Sequence, residues 1–213
     1  MFELSCKDEE TGARVGKLHT AHGIVDTPAF MPVATKASVK TLSSGELINL
    51  GTQAIISNAF ILYLRPGVEI VKRAGGLHRF MNFNGAIFTD SGGFQMLNDK
   101  LLVQVSKKGA VFQSPFDSTK HRFTPEKCIE VQMELGSDVA MVLDDCPPFT
   151  SEYEQVKRST QRTGEWARIA LEAHRKEDQA LFCIIQGGTF PDLRKRSAEA
   201  LVAMDFELSL IHI

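Results

Sequence analysis

Four polar residues follow directly on short apolar runs, and together their side chains could grip a flat heterocycle and move its proton. Asn58 follows Gln53-Ala-Ile-Ile-Ser57, Asp90 follows Gly85-Ala-Ile-Phe-Thr89, Asp144 closes Asp138-Val-Ala-Met-Val-Leu143, and Gln186 closes Ala180-Leu-Phe-Cys-Ile-Ile185. A carboxylate accepts from neighbouring ring and exocyclic N–H groups as a bidentate pair, while a glutamine amide or a main-chain N–H donates to a ring carbonyl. Asp144, Gln186 and Gly187 would therefore suit the edge of a guanine-like base. Asp90, with a second carboxylate nearby, would suit proton transfer. Behind it come Ser91 and the pair Gly92-Gly93, which lets backbone approach a ligand without a Cβ clash, and Phe94, whose ring could stack on a base. Taken singly, each residue is explained as a satisfied polar group at a strand end, with Asp90 capping a turn. Four complementary groups at four strand ends favour a site.

Those groups need a scaffold that presents strand ends together. The apolar runs read as buried strands, and helical patterns separate them. Ser43 with Glu46 three residues on predicts a helix start, stopped at Gly51. Pro66-Gly67 opens a helix through Ala74, and Thr124-Pro125-Glu126 opens another that ends at Gly136. Ser151–His174 and Phe190–Met204 read as two further helices. Phe2–Cys6 and Arg14–Ile24 read as arms of a hairpin, Thr27–Val33 as a strand entering the core at its proline-bearing ends, and Gln104–Phe112 as a hairpin about Lys107-Lys108-Gly109. Strand–helix alternation implies a parallel sheet with right-handed crossovers. Polar residues spread evenly over strand ends favour a barrel rim over the single crevice of a doubly wound sheet.

Composition limits the alternatives. The chain has 213 residues, 43% hydrophobic and 23% charged, with a net charge of −2. This is ordinary globular composition, short for a complete (β/α)8 barrel, and a polyanion partner would need a local basic patch. Cys6, Cys128, Cys146 and Cys183 form no C-x-x-C pair, so no metal site is expected within these residues, and a reducing cytoplasm is the default. No signal pattern or membrane-length apolar run is present. Lys157, Arg158, Arg162, Arg168, Arg175 and Lys176 read as a solvated helix face interleaved with Glu.

An ordered set of motifs carries a family resemblance. Phe30-Met-Pro-Val33, Leu64-Arg-Pro-Gly67, Ala74-Gly-Gly-Leu-His78, Phe80-Met-Asn82, Thr89-Asp-Ser-Gly-Gly-Phe-Gln95, Thr124-Pro-Glu-Lys127, Leu135-Gly-Ser-Asp138, Asp144-Asp-Cys-Pro147, Ile185-Gln-Gly187 and Asp192-Leu-Arg194 run to about Phe206. In that order they resemble the tRNA-guanine transglycosylases, or queuine tRNA-ribosyltransferases. The resemblance implies a TIM barrel, incomplete here: N-terminal antiparallel strands plus roughly five βα units. Residues 1–206 would form the first part of one catalytic domain, with 207–213 a non-matching tail. It implies exchange of guanine at the wobble position of tRNA for a 7-deazaguanine, through a covalent enzyme–tRNA intermediate, in queuosine biosynthesis. Asp90 would be the general acid/base, and Ser91, Gly92 and Gly93 would lie with it at the base. Asp144 and Gln186, with Gly187, would read the purine edge, Phe94 would stack on it, and Asn58 would lie near the reacting ribose. Cys146 matches the bacterial form, whose usual incoming base is preQ1. A homodimer of the full-length protein, in the cytoplasm, is implied as well.

Departures from the family pattern carry expectations of their own. Ile61 stands where the bacterial motif has histidine, and Asp145 where many bacterial members have Glu. Because the match stops near Phe206, the nucleophilic aspartate, the remaining strands, the tRNA-contacting insertions and a Cys3His zinc site are expected beyond these residues. A barrel opened there would leave an unpaired strand edge, so these residues alone are expected to be inactive and poorly soluble. Two competing readings are a non-catalytic partner subunit and a barrel glycoside hydrolase using Asp90 and Asp144.

Overall fold

A computed structural model describes residues 2–96, 101–206 and 208–211. In chain order it has β1 (Phe2–Lys7), β2 (Arg14–Thr20), β3 (Gly23–Thr27), α1 (Ser44–Asn49), β4 (Ala54–Asn58), α2 (Ala59–Leu64), α3 (Val68–Arg73), α4 (Leu77–Met81), β5 (Ala86–Asp90) and α5 (Gly93–Met96). There follow β6 (Leu102–Ser106), β7 (Gly109–Gln113), β8 (Lys120–Phe123), α6 (Pro125–Leu135), β9 (Val139–Met141), α7 (Tyr153–Ala173), β10 (Ala180–Ile185), α8 (Pro191–Val202) and β11 (Leu208–Ile211). They divide into two compact units: residues 1–90, 132–140 and 176–180, and residues 91–131, 141–175 and 181–213.

In the first unit, β1, β2 and β3 form an antiparallel sheet in that order. The single arm expected over Arg14–Ile24 is broken at Ala21-His22, and β3 begins at Gly23, whose φ of +130° few other residues adopt. Thr27–Val33 does not continue as a strand. Pro28 and Pro32 have no N–H to give a ladder, and the segment makes an isolated bridge, Val33 beside Ile56. Ser43 caps α1 as its spacing predicts: Glu46 N donates to Ser43 Oγ at 3.3 Å and Ser43 N to Glu46 Oε2 at 2.7 Å. β4 and β5 pair in parallel from Ala54 opposite Ala86 to Asn58 opposite Asp90. β5 pairs in parallel with β9 through Phe88–Val139 and Thr89–Ala140. Ile55, Phe60, Leu62, Leu77, Phe83 and Ile87 are fully buried around these strands, each contributing about 1.5–3 kcal/mol of apolar burial.

In the second unit, β6, β7 and β8 form an antiparallel sheet, the first two making the hairpin expected at Lys107-Lys108. Val142 N donates to Phe182 O at 3.0 Å, and β10 pairs in parallel with β11. Trp166 of α7 is buried, its Nε1 donating to Lys107 O at 2.9 Å. The protein is thus a mixed α/β structure with parallel strand pairing, as the strand–helix rhythm predicts. No helix among the described residues is long and apolar enough to cross a membrane.

Candidate functional site

Asp90 and Asn58 end adjacent parallel strands in register, which sets their side chains beside each other. Asn58 Nδ2 donates to Asp90 Oδ2 at 3.2 Å. The same amide uses its oxygen to accept from Ile61 N at 2.9 Å, capping α2. α2 was not legible in the sequence. Thr89, one residue before Asp90, is fully buried, its hydroxyl 2.9 Å from Gln132 Oε1 and 2.7 Å from Ser137 Oγ. Gln179 Nε2 in turn donates to Ser137 O at 2.8 Å and Gln132 O at 3.0 Å. This buried polar net fixes the strand that delivers Asp90.

The second unit brings together Ser91, Gly93, Asp144, Cys146 and Gln186. Asp144 and Gln186 are each 3% exposed, and Gln186 Nε2 donates to Asp144 Oδ2 at 2.6 Å. Ser91 Oγ, fully buried, lies 3.4 Å from Asp144 Oδ1 and accepts from Gly93 N at 3.3 Å. A Cβ on Gly93 would run into the Asp144 carboxylate. The Gly92-Gly93 turn has φ +87° at Gly92 and passes at once into α5. Phe94 on that helix is 65% exposed, a ring face open to solvent. Gln186 N donates to Ser197 Oγ at 3.1 Å, anchoring the end of β10 to α8. Gly187 has φ +132°, and a Cβ there would meet the main chain of Arg194.

Cys146 sits beside this acid–amide pair. Burial and the Asp144 charge push its thiol up to about 11, against a hydrogen bond with Gln186 that works the other way. It is therefore a neutral thiol at ordinary pH, not a nucleophile. Asp145 is buried, pairs with Arg162 of α7, and its N–H donates to Thr163 Oγ1 at 2.9 Å. This corrects the reading of Arg162 as part of a solvated face. Lys157 with Glu154 and Arg168 with Glu172 keep that reading as exposed or half-exposed pairs, whereas Arg175 and Lys176 lie past the end of α7 at Ala173, Lys176 pairing with Asp178.

A third cluster, in the first unit, escaped sequence reading altogether. Asp138, fully buried at its side chain, receives His22 N and Nδ1 at 2.9 and 2.8 Å on Oδ1, and Ile87 N at 2.7 Å and His78 Nε2 at 3.0 Å on Oδ2. Burial opposes its charge, but these hydrogen bonds outweigh burial and hold the carboxyl below its ordinary range. No spacing links residues 22, 78 and 138, so only the fold reveals them. The cluster holds no cysteine and does not fit the Cys3His zinc set expected elsewhere.

The structure is that of an α/β protein with two acid–amide pairs, Asn58 with Asp90 where two parallel strands end and Asp144 with Gln186 in the segments that follow β9 and β10. The family model described as queuine tRNA-ribosyltransferase matches residues 8–212, and the chain belongs to that family. It is 53% identical over 205 residues to a queuine tRNA-ribosyltransferase of Pelotomaculum thermopropionicum, covering 96% of this chain and 55% of the relative. A protein of the same name from Halothermothrix orenii is 51% identical over 205 residues, again 96% of this chain and 55% of the relative. One from Oceanobacillus iheyensis is 48% identical over 206 residues, 96% and 54%. The chain thus spans about half the length of the relatives it matches.

Proposed function

We propose that this chain serves a tRNA-guanine transglycosylase reaction, in which guanine leaves the wobble position of tRNA and a 7-deazaguanine, preQ1 by the residue at Cys146, takes its place. The observation that carries this reading is the buried Asp144–Gln186 pair at 2.6 Å, an acceptor and an amide in the segments that follow β9 and β10 within a family-matched chain. The carboxylate would take the base's ring and exocyclic N–H groups, the Gln186 amide and Gly187 N–H would face its carbonyl, and Phe94 would cover its face. Asp90 would return a proton to the departing guanine and remove one from the entering base, while Asn58 holds it by its Nδ2 hydrogen bond. Ser91, Gly92 and Gly93 would line the approach to the base. On this reading the parallel strands are part of a (β/α)8 barrel, residues 1–206 belong to one catalytic domain, and the protein works as a cytoplasmic homodimer on tRNA. The attacking aspartate and a zinc held by three cysteines and a histidine would come from outside the residues described.

The test is incorporation of labelled guanine into tRNA by the protein that carries this chain. Asp90→Asn should lower exchange by about 10²–10⁴-fold, the usual worth of a general acid/base, with the circular dichroism unchanged. Undiminished exchange would remove Asp90 from the mechanism.

A further inference from the structure

We propose that His22, His78 and Asp138 form a site for one borderline divalent cation of the zinc or cobalt(II) kind. The three ligand atoms all lie within 4.8 Å of one another, close enough for small side-chain rotations to place each at bonding distance from a shared ion. Two imidazoles and one carboxylate are donors that suit zinc, cobalt and iron(II) over calcium or magnesium. The ligands come from three places in one unit: the turn between β2 and β3, the first turn of α4, and the residue before β9.

Two features favour a cation over a merely satisfied carboxylate. First, the main chain already anchors both Asp138 oxygens, through His22 N and Ile87 N at 2.9 and 2.7 Å. The acid thus keeps its place whatever the imidazoles do. Second, the two rings are stacked at 3.5 Å between centroids and 18° between planes, each aiming one nitrogen at that acid. A neutral ring can shift its proton to the far nitrogen, Nε2 of His22 or Nδ1 of His78, and offer its lone pair to a metal. Two metal–nitrogen bonds and one metal–oxygen bond then form with no net proton release from neutral rings, and water completes the shell. His22 is 44% exposed at its side chain and gives the ion access. The bound ion would staple the β2–β3 turn to the start of β9.

Cobalt(II) is the probe. The protein that carries this chain, washed with a mild chelator that leaves any thiolate-held metal in place and titrated with cobalt(II), should develop visible d–d absorption that saturates at one equivalent, without sulfur-to-metal charge transfer. Zinc should displace the cobalt and raise Tm, since an ion that binds only the folded chain stabilises it. His22→Phe keeps a ring on His78 but has no ligand nitrogen, and should weaken cobalt binding at least tenfold, on the order of what lost metal-site groups cost. Equal affinity in that variant, saturation at other than one equivalent, or no d–d absorption in excess cobalt would overturn the site.

Discussion

Gly93 leaves the Asp144 carboxylate room that a side chain would take away. Gly93→Ala should therefore cost about 1–3 kcal/mol in urea denaturation, as overpacking does, and should weaken guanine binding at least as much as Asp144→Asn does. Retained guanine affinity by calorimetry would separate the two residues. Cys146 makes a second residue-scale prediction. Its folded thiol holds its proton up to about 11, against an ordinary 9.0. The folded state binds more protons than the unfolded between those values, so the stability this group contributes is full below 9.0 and falls as pH rises toward about 11. Iodoacetamide should leave Cys146 largely unmodified at pH 8 while it labels the exposed Cys6, as read by peptide mass spectrometry. At this scale the sequence was informative in part: an acid or amide after an apolar β-branched run is a local pattern, and Asn58 and Asp90 end their strands and Gln186 follows β10 directly, while Asp144 lies three residues past β9. What it could not convey is partnership, because Gln186 and Asp144 are 42 residues apart along the chain.

Among the elements, α7 carries both a clamp and a weak point. Arg162 on this helix offsets the buried charge of Asp145. Arg162→Ala would leave that charge uncompensated and should cost up to about 3 kcal/mol, reduced from the fully buried case because the guanidinium reaches solvent. Arg158→Ala, which meets no buried acid in the structure described, is the control. Gly164 in the same helix has open space where a Cβ would stand. Gly164→Ala should stabilise the protein by about 0.5–1 kcal/mol, seen as a raised Tm. Elements with strong boundary chemistry were legible: Ser43 with Glu46, Thr124-Pro125, and the Lys107-Lys108 turn all fall where expected. Short elements without such boundary residues were not. α2 and α4 have six and five residues, less than two helical turns, so no periodicity develops. β8 has four residues, and its alternation lies among the polar side chains of Lys120, His121 and Arg122. β9 covers only Val139–Met141 of the apolar run Asp138–Leu143.

For the molecule as a whole, charge sets an expectation. A net charge of −2 gives no general attraction for a polyanion, so this chain by itself should bind tRNA no more tightly than the weak end of non-specific association, about 10⁻⁴ M at physiological salt. Fluorescence anisotropy with labelled tRNA would show this, and micromolar binding would point to a basic surface that composition conceals. The parallel pairing of the fold was legible because alternation of strand and helix is a property of the entire chain. The hairpin break at Ala21-His22 was not, because no Asn-Gly, Asp-Gly or Gly-Gly pair marks the turn. Asn58 ends β4, starts α2 and holds the acid of β5 with a single amide. Hydrolysis of that amide, a lesion of proteins held hot, would keep the acceptor that begins the helix but replace the donor with a second negative charge facing Asp90. A heat-aged sample should therefore lose its chemistry while its circular dichroism still looks young.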